Sequence, residues 1–315
     1  MAATQPTSLL PLPTKAIHKT KMPYRFKKRE AVADGIRRIA AEEIDDAIGQ
    51  LAGGENREEA VHEARKSVKK VRALLRLAPG GGAEDKRFRD IGRSLSDARD
   101  AAVMLETLDG LAAKHQATLN RIRVVLERNK QSVDTEAGVQ PALYGLRSAR
   151  DRIKDWSIPE ELTDSLRASY RRGRKALREV EKNATEESYH DFRKCAKEHG
   201  YHLRLFESTW TEQIETRAGK IKDLETWLGD HHNLAVLRAK IENHPEQFAD
   251  AEEIQLFLAL VLQEQKELER NSMPVGRDLY EQKPKHFMRD MAKLWEAPAP
   301  KKQPAKVLMR KAKTA

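Results

Sequence analysis

The sequence predicts an all-α protein of antiparallel helical bundles. Apolar residues recur at a spacing of about 3.6 residues from about residue 30 to about residue 295. Runs of alternating β-branched residues, which would indicate strands, are absent from the sequence. The 16 glycines and 13 prolines cluster at the breaks between the apolar stretches. Helices of this length and spacing are typical of bundles.

The first three predicted helices end at glycine or proline. The first covers about 30–51 and stops before Gly53, and the second covers about 57–78 and stops at Pro79. The third is predicted as one long helix over about 84–110, because its apolar residues continue from Phe88 to Leu108.

The remaining predicted helices follow the same apolar period. A fourth helix is indicated by Leu119, Ile122 and Leu126. Met273-Pro274 is predicted as a linker between the last two helices, since proline normally interrupts a helix. In chain order the later helices cover about 140–155, 160–182, 185–208, 213–229, 232–243, 248–270 and 275–295.

The formal net charge of +10 belongs to the two ends of the chain. Residues 1–29 hold seven Lys or Arg and no acid, and residues 297–315 hold six and no acid. The rest of the chain has 46 basic and 49 acidic residues, which excludes a body that binds a polyanion over its whole surface. The prolines and charge of the ends predict disordered basic arms at 1–24 and 296–315.

Cysteine content and hydropathy favour a cytoplasmic protein. The single Cys195 cannot form an internal disulfide or a cysteine-based metal site. No run of 18 to 20 apolar residues, the length of a membrane-spanning helix, occurs in the sequence. The N-terminal basic residues follow the leucine cluster there, which is the wrong order for a secretory signal.

An internal repeat is the strongest organisational signal. The pattern H-x-x-R-K-x-x-K begins at His62 and again at His190, 128 residues later. A second pair of segments follows, LSDARD at 95–100 and LGDHHN at 228–233, with an offset of 133. Two related halves in the same order indicate duplication and predict a pseudo-twofold molecule.

Each copy of the motif predicts a cationic stripe on its helix. At about 100° per residue, the first stripe falls within an arc of about 80°. From Arg65 to Leu77 there is no acid, so the like charges repel unless an external anion neutralises them. Gly200 takes the place that Arg72 has in the first copy. The stripes are His62, Arg65, Lys69, Arg72 and Arg76, and then His190, Arg193, Lys197 and Arg204.

These paired motifs resemble the CHAD family, the conserved histidine α-helical domain. The resemblance covers about 25–295, with predicted halves at about 25–155 and 156–295. It implies two pseudo-symmetric four-helix bundles around a basic central cavity that binds inorganic polyphosphate, and association with polyphosphate granules. Gly200 and Asn233 depart from the family pattern, and the resemblance is to a stand-alone member, without a fused acidic triphosphatase-type domain.

The resemblance and the two stripes together nominate one set of polyphosphate-binding residues. No catalytic residue, metal ligand or cofactor is predicted, and the chain is not predicted to be an enzyme. The set is His62, Arg65, Lys66, Lys69, Arg72, Arg76, Arg89, Arg99, His190, Arg193, Lys194, Lys197, Arg204, Lys222 and His232.

Three alternatives stay open at this point. A metal-dependent phosphohydrolase would use His190 and Asp191, but Asp191 lies about 100° from the histidine, outside the cationic arc, and the neighbouring cations would repel a metal ion. A nucleic-acid-binding protein would use the basic tails, at 27–29 and 301–313, although no recognition motif is visible. The chain could also be a scaffold that uses polyphosphate only to reach a granule.

Overall fold

A computed structural model describes most of the chain, and every regular element within the described residues is helical. This confirms the all-α prediction. The two predicted basic arms lie outside the described residues, apart from their innermost positions. The described residues are 24–27, 29–54, 56–78, 81–207, 212–248 and 250–296.

The described residues form eleven α-helices, with short 3-10 turns at Ile153–Asp155 and Pro245–Gln247. None of these helices is long and apolar enough to cross a membrane. The helices are α1 (Val32–Gly53), α2 (Arg57–Leu75), α3 (Gly82–Ser94), α4 (Ser96–His115), α5 (Asn120–Gln131), α6 (Val139–Arg152), α7 (Thr163–Lys182), α8 (Glu186–Leu205), α9 (Glu212–Asn243), α10 (Ala251–Tyr280) and α11 (Pro284–Glu296).

The third predicted helix is wrong as a single element, because the chain breaks at Leu95 into α3 and α4. Leu95 has φ −97° and ψ 10°, outside the helical region. The Ser94 hydroxyl donates to the Ile91 carbonyl and the Ser96 hydroxyl to the Arg93 carbonyl, at 2.9 and 2.7 Å. Serine side chains that bond to nearby carbonyls compete with the helical ladder, which is a local signal that apolar periodicity does not contain.

Two other predicted breaks are also wrong. Residues 213–243 belong to one continuous helix, α9, which packs between α8 and α10. Pro274 lies inside α10, where it removes the hydrogen bond to the carbonyl four residues earlier. Burial of Gly276, Leu279 and Tyr280 holds the last turns of α10 against the core, so tertiary packing overrides the local signal. The actual break precedes Pro284, at the first position of α11.

Replacing Pro274 with alanine is expected to stabilise the protein by about 1 to 2 kcal/mol. The change restores one helical hydrogen bond and removes a helix penalty of about 3 kcal/mol, less the roughly 1 kcal/mol that proline contributes by restricting the unfolded chain. Urea unfolding followed by circular dichroism measures the difference. Pro284→Ala, at a position that tolerates proline, is the control and should change little. A lower midpoint for Pro274→Ala than for wild type would contradict the expectation.

The core consists of two apolar clusters, and each contains residues from both predicted halves. The larger joins α1, α2, α3, α6, α7, α8 and α11 with the first part of α9 and the end of α10. The smaller joins α4 and α5 with the second part of α9 and the first part of α10. Burial therefore links the halves into one body. The pseudo-twofold relation and the half limits at 155 and 156 stay predictions.

Candidate functional site

The two copies of the repeated motif lie on neighbouring helices, α2 and α8. Asn56 caps α2 by accepting the Glu59 backbone N–H, and a Thr185–Ser188 capping box begins α8. The His202 ring of α8 donates from Nε2 to the Ala73 carbonyl of α2, at 3.0 Å. The helices are thus fixed against each other, with their motifs facing a shared space.

Four cations meet in that space, and we call them the central cluster: Arg65 and Lys69 from α2, and Arg193 and Lys197 from α8. Desolvation, followed by repulsion from Lys197, Arg65 and Arg193, lowers the pKa of Lys69 to about 7. Desolvation and then repulsion from Arg193 also lower the pKa of Lys197. The Lys69 side chain is in contact with solvent, although many protein atoms surround its ammonium group. The positive charges therefore lie close enough to repel one another.

Local acids neutralise the central cluster only in part. Arg65 donates to the Gly92 carbonyl at 3.0 Å, and its Nη2 lies 3.6 Å from the Asp100 carboxylate. Within the described residues, Lys69, Arg193 and Lys197 form no ion pair. The Nε atoms of Arg65 and Arg193 are buried without a hydrogen-bond partner. Buried donors that lack an acceptor are costly, so this cluster favours an anionic ligand.

The missing cation at Gly200 is explained by an acid on α9. A Cβ at this position would lie 1.7 Å from Glu225 Oε1, so any larger residue would displace that carboxylate from its present position. Glu225 lies 3.5 Å from an Arg204 guanidinium nitrogen. Desolvation raises the pKa of Glu225, against the attraction of Arg204, Lys197 and Arg193. Sequence analysis missed this carboxylate, and the glycine that replaces a cation was the available signal.

The far end of the first stripe has acidic partners of its own. Arg72 Nε donates to Asp85 of α3 at 2.7 Å. Arg76 lies 3.6 Å from the same carboxylate and donates to Glu198 of α8 at 2.8 Å. The expectation that the whole stripe lacks neutralising acids is therefore wrong, because the acids come from other helices. A role for Arg72 and Arg76 in binding stays a prediction.

Two predicted histidines adjoin the central cluster. His190 Nδ1 and His232 Nδ1 lie 3.2 Å apart, with ring centroids separated by 4.3 Å. Desolvation, then the charges of Lys194 and Arg193, lowers the pKa of His190. Desolvation, then Arg193 and His190, lowers the pKa of His232 to about 3. Both rings are therefore neutral near pH 7, with one nitrogen donating to the other.

The other predicted residues lie outside the central cluster. Most have an acidic neighbour on the same helix, while Lys222 is exposed and forms no ion pair within the described residues. The neighbouring pairs are His62 with Glu63 (3.9 Å), Lys66 with Glu63 (3.0 Å), Arg89 with Asp90 (3.8 Å), Arg99 with Glu106 (3.0 Å) and Lys194 with Asp191 (2.6 Å).

The side chains that a metal-dependent phosphohydrolase would use do not converge on one site, because each contacts a different neighbour. His190 faces His232, Asp191 pairs with Lys194, and His231 lies 3.1 Å from Glu269 of α10. In the described part of the chain, no three or more His, Cys, Asp and Glu side chains are grouped to hold a metal ion. This alternative therefore has no assembled metal site there.

A cavity of about 900 Å³ lies on the other side of α8, between α7 and the junction of α2 and α3. We call it the α7–α8 cavity. Its lining carries both signs of charge, including Lys175 and Glu179 of α7 and Lys194 and Glu198 of α8. Cys195 also lines it, and desolvation raises the pKa of the thiol to about 11, which keeps it protonated at neutral pH.

Comparison with known proteins agrees with this architecture. The crystal structure of the CHAD domain from the plant Ricinus communis has a similar fold, with a TM-score of 0.62 and 18% sequence identity. The alignment covers 83% of this chain and 95% of that one. The curated proteins contain no match. The family profile described as CHAD domain matches residues 36–242, a span that includes both copies of the motif, and the chain therefore belongs to the CHAD family.

Proposed function

We propose that this chain binds inorganic polyphosphate at the central cluster. The observation that carries the proposal is the meeting of Arg65, Lys69, Arg193 and Lys197 from the two motif copies. Three of these cations have no ion pair within the described residues. The CHAD family is associated with polyphosphate binding, which supports the same ligand class.

The chemistry of the cluster suits a linear phosphate polymer. Each guanidinium can bind two phosphate oxygens, and each ammonium acts as a compact point charge. Desolvation, and then repulsion among the cations, lowers the pKa of Lys69 in the free protein. A polyanion that threads between α2 and α8 relieves this repulsion and supplies acceptors for the buried Nε atoms of Arg65 and Arg193.

Binding of this kind requires no cofactor or catalytic step, so we propose a binding protein and not an enzyme. We also propose that it is cytoplasmic and gathers at polyphosphate granules, where the local concentration of ligand is highest. A fluorescent fusion should form foci in cells that accumulate polyphosphate and stay diffuse in cells unable to make it.

A titration with polyphosphates of graded length, at two salt concentrations, tests the proposal. Affinity should rise with length until the cluster is filled, and it should fall with salt by about 0.7 log units per tenfold increase for each phosphate contacted, as for single-stranded nucleic acids. Binding that is independent of salt would contradict an electrostatic site. Duplex DNA as competitor, with full-length protein and a form lacking both tails, distinguishes the nucleic-acid alternative.

Affinity for polyphosphate should rise several-fold as pH falls from about 8.5 to about 6.5. The pKa of Lys69 is lowered to about 7, so this side chain is largely neutral at the upper end and charged at the lower end. A polyanion binds the charged form, and binding therefore takes up a proton. Dissociation constants measured across this range provide the test.

Lys69→Arg is the matched variant, because arginine stays charged throughout. It should bind well at the upper pH and show a flatter profile than wild type. A profile as steep as that of wild type would show that another group titrates on binding.

A further inference from the structure

The outer face of α7 carries a second row of cations, which we call the α7 row. At about 100° and 1.5 Å per residue, it occupies an arc of about 100° and extends about 17 Å along the helix. Four of its five residues are exposed and the fifth is half-buried. Within the described residues, none of the five forms an ion pair. The row consists of Arg171, Arg174, Lys175, Arg178 and Lys182.

The row is not a consequence of the duplication. In α1, the first long helix of the first half, the only cations are Arg37 and Arg38, and acids outnumber them. The buried side of α7 is formed by residues such as Tyr170 and Leu177, so the row faces away from the core. Like charges three or four residues apart, such as Arg174 and Arg178, destabilise a helix. As in the central cluster, an external anion would remove this repulsion.

The α7–α8 cavity lies between the row and α8, the helix that carries Arg193 and Lys197 of the central cluster. Lys175 of the row and Lys194 of α8 both line it. Lys194 also lies near the His190–His232 pair, because its charge contributes to the lowered pKa of each ring. Cations therefore lead from α8 across the cavity to α7.

Acidic side chains would repel a polyanion that crosses this cavity, but most of those that line it are paired with cations. Three of them are occupied by cations: Asp85 by Arg72 and Arg76, Asp191 by Lys194, and Glu198 by Arg76 and Arg172. Glu179 is the lining acid without an ion pair in the described part of the chain.

We propose that the α7 row is a second contact for the polyphosphate chain bound at the central cluster, so that a long chain continues over α7. The inference rests on the proposed function. The row is flanked along its C-terminal half by Glu179 on one side and on the other by Glu181, which pairs with Arg277. A single linear polyanion can follow such a row, whereas the second strand of a duplex would bring phosphates against these carboxylates.

The test uses full-length protein carrying Arg171→Gln, Lys175→Gln and Arg178→Gln. A control with the same types and number of changes neutralises exposed cations of the first half: Arg128→Gln, Arg147→Gln and Lys154→Gln. None of the three control positions forms an ion pair within the described residues. Dissociation constants are measured for tripolyphosphate, for long-chain polyphosphate and for duplex DNA, at several salt concentrations.

Both variants should bind tripolyphosphate as wild type does. For the long chain, the α7 variant should lose affinity about tenfold, and its salt slope should fall by about 2, since three contacts are removed at about 0.7 each. The control should keep both the affinity and the slope. Thermal unfolding checks that both variants are folded.

Several results would overturn the inference. Equal losses of long-chain affinity in the two variants would show a general effect of net charge, and equal losses for short and long chains would show an effect on the central cluster. Loss of DNA binding alone would make the row a nucleic-acid surface. Normal binding of long-chain polyphosphate by the α7 variant would contradict the second contact and leave the proposed function intact. A wild-type protein that binds no polyphosphate would contradict both the second contact and the proposed function.

Discussion

Reversing the charge of Arg65, Lys69, Arg193 and Lys197 together is expected to abolish polyphosphate binding and to leave the helical content unchanged. Each cation can form charge-assisted hydrogen bonds worth roughly 1.5 to 3 kcal/mol with phosphate. Loss of the four, replaced by four repelling carboxylates, should cost at least about 4 kcal/mol, or a thousandfold in affinity. Titration with long-chain polyphosphate and circular dichroism provide the two readouts.

A double variant separates binding from folding, since Arg65 and Arg193 are partly buried and their reversal could disturb α2 and α8. Lys69→Met and Lys197→Met keep most of the length of both side chains and remove the desolvated, mutually repelling charges, whose pKa values desolvation and then repulsion lower. This variant should bind much more weakly than wild type and yet unfold at an equal or higher urea concentration. Lys154→Met with Lys266→Met, at exposed positions, is the matched control. Wild-type affinity in the double variant would place the site elsewhere.

The central cluster could be predicted from the sequence because the spacing of residues along single helices identifies its members. The spacing of Arg65 and Lys69 places them on one face of a helix, and the repeat gives Arg193 and Lys197 the same geometry. Duplication then implies that the two faces belong to related environments. Neither inference needs knowledge of other helices.

The acids that neutralise other cations of the two stripes could not be predicted in this way. Asp85, Glu198 and Glu225 lie on α3, α8 and α9, and each meets its cation only through tertiary packing. The absence of acids along α2 therefore predicts repulsion that folding partly removes. The continuation of α10 through Pro274 also depends on tertiary packing, since burial of the following turns outweighs the cost of a proline inside the helix.

The α7 row was missed for a different reason. Its cations are visible in the sequence at helical spacing, but no second copy marks them. A charged helical face usually reflects solvation. Only the structure shows that these five cations have no ion pair within the described residues and that Lys175 shares a cavity with Lys194.

Glu198 explains why α2, α7 and α8 keep their arrangement. Its carboxylate is only 7% exposed and accepts from Arg76 of α2 at 2.8 Å. From α7 it accepts from Ser169 at 2.9 Å and from Arg172. Desolvation would raise the pKa of Glu198, but His202, Arg172 and Arg76 together lower it to about 2. One buried anion therefore joins three helices through charged partners, on the side of α8 away from the central cluster.

Removing this carboxylate is expected to destabilise the protein strongly. Glu198→Ala leaves the partly buried guanidinium of Arg76 without its main partner, and breaking a buried pair costs about 3 to 5 kcal/mol. Urea unfolding at neutral pH measures the loss. Glu187→Ala, an exposed acid on the same helix, is the control and should change stability by less than about 1 kcal/mol. Equal midpoints for Glu198→Ala and wild type would contradict a structural role for this network.

The pH dependence of unfolding gives an independent measure of the same group. The pKa of Glu198 is lowered from 4.5 to about 2 on folding, so its contribution is fully present above pH 4.5 and declines as pH falls toward 2. Wild type should therefore lose stability more steeply than Glu198→Gln between about pH 5 and pH 3. Parallel curves for the two proteins would show that other carboxylates account for acid unfolding. A shallower curve for Glu198→Gln, with Glu187→Ala like wild type, would assign that slope to Glu198, the buried anion of α8 that pairs with Arg76 of α2.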